Sequence, residues 1–436
     1  MPYLQQILFV ITLGVATYFI RKRVLRIRAN INLGKQNEIK DHTSERLSNM
    51  LLVAFGQKKM FKRFIPAFLH FFIYVGFLVI NLEVLEFVID GLLGTHRIFA
   101  PYLGSFYNVL MNLFEFLAAA VLLACIFFLI RRNVLRLPRF WSAEMTEWPR
   151  LDANLILFTE IVLMSAILIM NASDQVLQSQ KAAHFVSTGT LFFSSFLTST
   201  LQHFSTSTLL FIERFAWWFH IIGILGFALY VTYSKHLHIF LAFPNTYFAK
   251  LEPKGHINNM PVVTQEVKSM LGLTVAETTP TGEPGRFGVK DINDLTWNNL
   301  MAAYSCTECG RCTSECPANL TGKKLSPRKI MMDTRDRMEE VGKSLEKGGA
   351  GLNDGKTLLN DYITKEEINA CTSCNACVEA CPVMINPLEI ILELRRYVAM
   401  EESGSPAQWN SMFQNIETSF APWKFSPADR FNWSND

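Results

Sequence analysis

Charged residues are scarce in this sequence. They make up 18% of its 436 residues, against about 25% in an ordinary soluble domain. Apolar residues make up 50%, and the formal net charge is only +3. The low charge and the high apolar content exclude a disordered chain and a wholly soluble one. The small net charge gives no reason to expect a nucleic-acid partner.

Cysteine is almost absent from the first 300 residues. Cys125 stands alone there, and the other eight cysteines all follow residue 300. Their close and regular spacing is not typical of a secreted disulfide framework. Cys125 falls inside an apolar stretch, so we expect it to be a small packing residue.

Long apolar runs fill the chain before residue 245. A helix needs about 20 mostly apolar residues to cross a bilayer. Five segments meet that requirement: residues 3–20, 64–89, 106–130, 151–172 and 209–234. In the first segment the basic run follows the apolar stretch, the reverse of a signal peptide, so we expect a retained helix. The Ser- and Thr-rich segment 182–208 is interpreted as an interfacial helix or loop.

The distribution of Lys and Arg predicts an orientation in the membrane. Residues 21–63 carry twelve of them and residues 131–150 carry five, whereas residues 90–105 and 173–208 carry one each. By the positive-inside rule, the two basic loops are cytoplasmic. We therefore expect a multi-pass protein of the inner (cytoplasmic) membrane, with the N-terminus outside and everything after residue 235 inside.

The two groups of four cysteines share one spacing, C-x2-C-x2-C-x3-C-P, which is typical of 4Fe–4S clusters in bacterial ferredoxins. In that pattern the fourth cysteine binds the neighbouring cluster. The predicted ligands of one cluster are Cys306, Cys309, Cys312 and Cys381, and those of the other are Cys371, Cys374, Cys377 and Cys316. Structural zinc is the alternative, but zinc sites pair two CxxC groups and do not call for the additional cysteines and the proline.

The composition divides the chain into three parts. Residues 1–250 form a predicted transmembrane domain, residues 251–300 a linker that includes Thr279–Gly285, and residues 301–436 a soluble domain with two clusters. Helical apolar spacing predicts helices over residues 324–345 and 387–401. The expected fold is mainly α: a five-helix transmembrane bundle followed by a helical, ferredoxin-like domain.

Several histidines lie in or beside the apolar segments. His70 lies in the second segment, His220 in the fifth, and His236 and His238 at the cytoplasmic end of the fifth. His220 and His238 are 18 residues apart, which is five turns at about 3.6 residues per turn, so a continuous helix places them on one face. Histidines on facing helices of a bundle are typical haem b ligands. Satisfied buried imidazoles are the alternative, and helix depth does not decide which histidine would pair with His70.

Four carboxylates, Glu83, Glu86, Glu115 and Glu160, also lie within the apolar segments. Ionisable groups inside a bilayer are costly and often functional. These could pass protons to a quinone, or they could be packing residues that hydrogen-bond to neighbouring side chains.

The stretch Trp217–Tyr247, WWFHIIGILGFALYVTYSKHLHIFLAFPNTY, resembles the last helix of the respiratory nitrate reductase gamma-subunit family. The segment FLHFFIYVGFLVI resembles that family's second helix. The resemblance implies haem b between His70 and His238. The family's second histidine on that helix would fall near Ile80, so His220 lacks the partner that a second haem would need.

The combination of such a membrane domain with two cluster motifs looks like the membrane-bound iron–sulfur relatives of heterodisulfide reductase. That group includes electron-transfer-flavoprotein:menaquinone oxidoreductases. The resemblance implies a subunit that passes electrons between a cytoplasmic redox partner and a membrane quinone, menaquinone or another, through two 4Fe–4S clusters and haem b. The alternative is a haem-containing anchor for a soluble oxidoreductase, without its own quinone site.

The sequence departs from those relatives in one respect. They carry domains with adjacent-cysteine CCG motifs, whereas this chain has no Cys-Cys pair and no cysteine after Cys381. Either a separate subunit supplies that domain, or the protein works without it. A CCG-domain iron–sulfur subunit, an electron-transfer flavoprotein, or both are the partners expected to dock on the cytoplasmic side. The aromatic-rich tail 402–436 is the predicted docking segment, and folding back onto the cluster domain is the alternative. The sequence identifies no catalytic residue.

Overall fold

The computed structural model describes residues 3–273 and 286–435. Within these ranges the chain is almost entirely helical. It contains no β-strand there, and the isolated bridges pair Lys35 with Thr296 and Leu359 with Ile363. The mainly helical fold predicted from the sequence is therefore confirmed. The predicted linker segment Thr279–Gly285 lies outside the described residues.

Five helices among the described residues are long and apolar enough to cross a membrane, in agreement with the prediction. We call them the first to fifth spans: Leu4–Ile31, Phe64–Leu93, Ser105–Leu129, Trp148–Ser179 and Thr206–Val231. A π-helical turn, Ile130–Val134, extends the third span. The helix Phe192–Leu201 has ten residues, which is too short to cross a bilayer.

The spans alternate in direction, so the bundle has two distinct ends. At one end Phe9 of the first span packs against Gly91 of the second, where a Cβ would lie 2.7 Å from the Phe9 ring. At the other end Arg63, just before the second span, bonds Glu315 of the cysteine-rich region at 2.7 Å. We call the end that carries the cysteine-rich region proximal and the opposite end distal.

The interior of the bundle is closely packed. Its core includes Phe9, Phe87, Leu163 and Trp217, and Cys125 is fully buried among these side chains. The second and third spans approach closely at Gly76, where a Cβ would lie 2.6 Å from Val121 Cγ2. Small residues at such contacts allow membrane helices to pack closely without a hydrophobic driving force.

The cysteine-rich region folds around its own hydrophobic core. Three helices supply much of this core: Trp297–Tyr304, Pro327–Glu346 and Pro387–Met400. The last two overlap the helices predicted over residues 324–345 and 387–401. Both begin with proline after a capping side chain, Ser326 or Asn386, that accepts a backbone N–H, which is a common helix start.

Part of the predicted linker packs into this region. Val289, Ile292 and Leu295 are buried in the same core as the cysteine-rich helices. The Asp291 carboxylate accepts hydrogen bonds from Arg337, which is itself fully buried. Residues 251–260 form a loop and residues Pro261–Met270 a helix without buried side chains.

Buried ion pairs connect the cysteine-rich region to the proximal end of the bundle. Arg23 of the first span bonds Glu339 at 2.7 Å, and Lys235 bonds Glu308. Arg328, fully buried, bonds Glu144 at 2.7 Å in the loop between the third and fourth spans. Each pair would leave an uncompensated buried charge if it separated, so the pairs favour one fixed position of the region on the bundle.

Candidate metal centres

The two cysteine loops have the same backbone conformation at matching positions. In the first loop Glu308 and Gly310 have φ angles of +53° and +70°. In the second loop Ser373 and Asn375, at the same distances from the first cysteine, have φ angles of +55° and +62°. Left-handed residues turn the chain sharply. The repeated turns make the two loops local structural copies of each other.

Three cysteines of the first loop and one of the second surround a single cavity. Its lining includes Cys306, Cys309, Cys312 and Cys381. Pro382, Met331 and Ile385 also border it and make its wall largely apolar. The structure therefore brings together the four cysteines that the crossed pattern assigns to one cluster.

The remaining four cysteines also lie together. Burial raises the pKa of the Cys377 thiol to about 12, and the nearby Cys371, Cys316 and Cys374 raise it as well. Cys371 likewise has Cys316 and Cys374 as electrostatic neighbours. These are the four residues that the crossed pattern assigns to the other cluster.

The chemistry of both groups fits iron–sulfur clusters. All the cysteines are free of disulfide bonds. Burial raises the pKa of Cys306 to about 12 and that of Cys381 to about 11, so these thiols need a metal to become thiolates near neutral pH. Backbone N–H groups of Ile385 and Ser373 point at Cys381 Sγ and Cys371 Sγ, at 3.2 and 3.4 Å. Hydrogen bonds to cluster sulfurs tune the reduction potential.

Within the described ranges, no group of three or more His, Cys, Asp or Glu side chains is placed to hold a single metal ion. A cubane cluster makes a different demand, because each thiolate binds a different iron and the four sulfurs enclose a volume.

The two cysteine groups differ in their surroundings. The first group borders the bundle, because Arg311, next to Gly310, donates to the backbone oxygens of Lys59 and Met60, both at 3.4 Å. Lys59 also donates to Val378 O at 3.3 Å, beside Cys377 of the second group, so both groups lie near the segment that precedes the second span. In the second group Cys374 is exposed to solvent. The first group is therefore adjacent to the membrane helices, and the second reaches the outer surface of the domain.

His70 and His238 lie next to each other at the proximal end of the bundle. Their ring centroids are 6.5 Å apart. His70 Nδ1 donates to Gln57 Oε1 at 3.1 Å, and His238 Nδ1 donates to the Lys235 backbone oxygen at 3.2 Å. Both Nε2 atoms then carry the lone pair that a metal ligand needs.

The spacing of this pair fits one iron. Metal–imidazole bonds are about 2 Å long and the ring centre lies about 1 Å further on, so two imidazoles on one metal stand about 6 Å apart. The measured separation of 6.5 Å between His70 and His238 is close to that value. Gln57 was not among the residues selected from the sequence, because it lies outside the apolar segments.

The helical geometry assumed for His220 and His238 is wrong. The fifth span ends at Val231, a short 3-10 turn covers Lys235–Leu237, and His238 begins a new helix. After the break, the Ser234 side chain accepts a hydrogen bond from the His236 backbone N–H and caps the start of the 3-10 turn. The turn places the His238 side chain beside His70. The centroid of the His236 ring lies 5.3 Å from that of the His238 ring.

His220 lies deeper in the bundle and is fully buried. Its Nδ1 donates to the Leu163 backbone oxygen at 3.1 Å, and its ring meets Phe87 edge-on at 5.9 Å. The Nε2 atom is buried and has no hydrogen-bond partner. A haem role for His220 stays a prediction.

Two of the four carboxylates have the packing role considered as an alternative. Glu86 accepts hydrogen bonds from Tyr107 Oη and Phe99 N, at 2.7 and 3.0 Å. Glu115 caps the helix Phe192–Leu201 by accepting from the first backbone N–H groups. Glu83 Oε1 is buried without a hydrogen bond, and Glu160 is half-buried.

Comparisons with known proteins agree with the cysteine geometry. The family model for a 4Fe-4S dicluster domain matches residues 305–385. No solved structure matches the chain significantly.

Three curated proteins illustrate the similarity over the chain. A probable iron–sulfur-binding oxidoreductase, FadF of Bacillus subtilis (strain 168), is 27% identical over 99% of this chain and 61% of its own length. The EtfAB:quinone oxidoreductase of Syntrophomonas wolfei subsp. wolfei is 27% identical over 91% of this chain and 55% of its own length. A probable membrane-anchored ferredoxin of Chromohalobacter salexigens is 32% identical over 34% of this chain and 24% of its own length.

The chain thus spans 61% and 55% of the lengths of the first two relatives. Together with the dicluster match, these similarities support an electron-transfer function of the iron–sulfur oxidoreductase type. Over the residues that the structure describes, the chain combines five long apolar helices with a region that matches a 4Fe–4S family model.

Proposed function

We propose that this chain is the membrane electron-transfer subunit of a quinone-linked oxidoreductase. The observation that carries the proposal is the arrangement of three candidate centres in series. The cysteine group with exposed Cys374 lies outermost, the group around Cys381 borders the bundle, and the His70–His238 pair lies at the proximal end. When bound, two 4Fe–4S clusters and a haem supply one-electron transfer at these positions.

The proposed cluster ligands follow the crossed pattern. Cys306, Cys309, Cys312 and Cys381 would hold the cluster next to the bundle, and Cys371, Cys374, Cys377 and Cys316 would hold the outer one. The cavity bordered by the first group supports this assignment.

The proposed haem ligands are His70 and His238. Their facing rings and their hydrogen-bonded Nδ1 atoms support the assignment. Gln57 and the Lys235 carbonyl would then fix the two imidazole tautomers, as partners of metal-bound histidines commonly do.

Quinone coupling is supported by a relative described as an EtfAB:quinone oxidoreductase. A redox centre within the bundle would be accessible to a lipid-soluble carrier such as menaquinone. The competing function, a haem-containing anchor without a quinone site, shares the same cysteine and histidine geometry.

We further propose that the cysteine-rich region is cytoplasmic and binds a redox partner there. The positively charged loops lie at the proximal end with this region, as the positive-inside rule requires. The tail supports a docking role, because its aromatic side chains are exposed and not folded back: Trp409, Phe413, Phe420, Trp423, Phe425, Phe431 and Trp433. The proposed partner is a CCG-domain iron–sulfur subunit or an electron-transfer flavoprotein.

Replacing Cys316 with serine should damage the cluster of the other loop more than that of its own loop. The reason is that its thiolate crosses to Cys371, Cys374 and Cys377. The natural chain, with both clusters, should hold about eight cluster irons, and the Cys316→Ser variant should hold about four. Iron analysis measures the number of irons, and electron paramagnetic resonance shows which cluster remains.

Cys125→Ser is the control and should keep both clusters. Loss of both clusters in Cys316→Ser, or of neither, would contradict the crossed assignment.

Replacing either His70 or His238 with alanine should abolish the haem spectrum, because each would supply one axial ligand. The clusters should remain, since no cysteine is changed. Reduced-minus-oxidised optical spectra measure the haem. His236→Gln is a matched control beside His238, and it should keep the haem. Full haem content in both alanine variants would sink the assignment.

The function itself is tested on protein purified from native membranes. The chain should come out with a redox partner, which reduces the haem, and a soluble quinone analogue should then reoxidise it. The optical spectrum with and without the analogue follows both steps. If the partner reduces the haem but the quinone analogue does not reoxidise it, the result favours the anchor function. A chain that comes out alone, and whose haem a small organic substrate reduces, would contradict the subunit proposal.

A further inference from the structure

The distal end of the bundle contains a buried network of charged groups. Its carboxyl members are Glu83, Glu86, Asp90, Glu115 and Asp174, all buried. They surround a single buried guanidinium, that of Arg97 in the loop after the second span. Charged groups inside a bilayer are expensive, and each requires a partner or a function.

Three of these carboxylates have structural partners outside the guanidinium. Glu86 accepts from Tyr107 Oη and Glu115 from the Ser194 backbone N–H, at 2.7 and 3.1 Å. Asp90 accepts from the Arg97 backbone N–H at 2.8 Å. These contacts hold the distal loop and the short helix Phe192–Leu201 in place, which explains why the three groups are buried.

The shortest hydrogen bonds of the Arg97 side chain are with the fourth span. Its Nε donates to Asp174 Oδ2 at 3.1 Å, and its Nη2 donates to Asn171 Oδ1 at 2.7 Å. Asp174 therefore has a charged partner with good hydrogen-bond geometry. The one guanidinium in the centre of the network is balanced by this carboxylate.

Glu83 is the exception in the network. Its side chain is 1% exposed, and Oε1 accepts no hydrogen bond. The nearest cationic atom, Arg97 Nη1, lies 3.6 Å away, which is beyond hydrogen-bond distance. Because the carboxylates of Glu86 on its own helix and Glu115 on the third span lie nearby, and the Arg97 guanidinium already pairs with Asp174, a further negative charge here is disfavoured. The Glu83 carboxyl is therefore suited to hold a proton.

A second open polar atom lies on the facing helix. Phe87, one turn after Glu83 on the second span, packs against the His220 ring. Because His220 Nδ1 donates to a backbone oxygen, the unpartnered Nε2 is a hydrogen-bond acceptor. Two unpartnered buried polar atoms thus lie on two different spans, Glu83 Oε1 in the distal half of the bundle and His220 Nε2 near its middle.

The network continues from Glu83 to the distal surface. Arg97 connects Glu83 to Asp174, whose Oδ1 accepts from His96 Nε2 at 3.3 Å. His96 Nδ1 accepts from Arg214 Nη2 at 3.3 Å. The Arg214 side chain is 34% exposed, so this chain of contacts reaches from the buried carboxyl to solvent or headgroups.

We propose that Glu83 exchanges protons with the quinone, and that Arg97, Asp174 and His96 connect it to the distal surface. The inference rests on the proposed quinone coupling. Reduction of a quinone to a quinol takes up two electrons and two protons. The redox partner supplies the electrons through the proposed centres. Both protons pass through Glu83: it gives one to the quinone, regains one from the distal surface, gives that one to the quinone as well and is then reprotonated, and the steps reverse when a quinol is oxidised.

A carbodiimide reacts with protonated carboxyl groups in apolar surroundings and tests the inference on the unmodified complex. Dicyclohexylcarbodiimide should label Glu83, identified by mass spectrometry of the second-span peptide, and should abolish haem reoxidation by the quinone analogue. The dithionite-reduced haem spectrum should be unchanged. Labelling of other carboxyls alone, or labelling of Glu83 without loss of reoxidation, would overturn the inference.

The variant Glu83→Gln keeps the side-chain shape and removes the titratable group. Reoxidation of the haem by quinone should slow at least about tenfold, as expected when a proton-transfer group is lost. Haem reduction by the partner should be unchanged. Glu266→Gln, the same change on the exposed helix Pro261–Met270 outside the bundle, is the control and should behave as the natural protein.

The outcomes of the variant are distinguishable from failure of the proposed function. If the quinone analogue does not reoxidise the haem of the natural chain, quinone coupling itself is refuted. A Glu83→Gln chain that reoxidises at the natural rate would refute only the role of Glu83. If this variant does not accumulate in the membrane, the labelling experiment on the natural protein decides.

Discussion

The architecture depends on the exchange of cysteines between two loops. Cys381 of the second loop borders the same cavity as Cys306, Cys309 and Cys312 of the first. With the proposed crossed ligands, neither loop would complete a cluster site alone. The left-handed turns at Gly310 and Asn375 give both loops the same shape, and the exchange requires them to fold together.

This shared site is also joined to the membrane helices. Arg328 lines the cavity and donates to Arg139 O at 2.6 Å in the loop between the third and fourth spans. Glu308, inside the first cysteine loop, pairs with Lys235 beside the turn that presents His238. The same buried contacts thus position the cysteine groups and the histidine pair relative to each other, and they connect the packing of the chain to its proposed electron transfer.

The sequence predicts what depends on local pattern. Apolar length located the five spans, and cysteine spacing located the 4Fe–4S region, because both signals lie within short segments. The break after Val231 was missed, since neither proline nor glycine marks it in the sequence, and the cap of a new turn, Ser234, lies only three residues later. The partners of Glu83 and Arg97 could not be predicted either, because Arg97 and Asp174 meet only after distant spans pack. Val289 and Ile292 were placed in a linker because Pro, Gly and Thr dominate the surrounding sequence.

The most direct test of the central claim is the metal content of the purified chain, measured together with its haem. The account predicts about eight cluster irons and about one haem per chain, with the cluster spins interacting because the two cubanes are adjacent. Zinc in place of iron, or half the cluster iron without a haem, would contradict it.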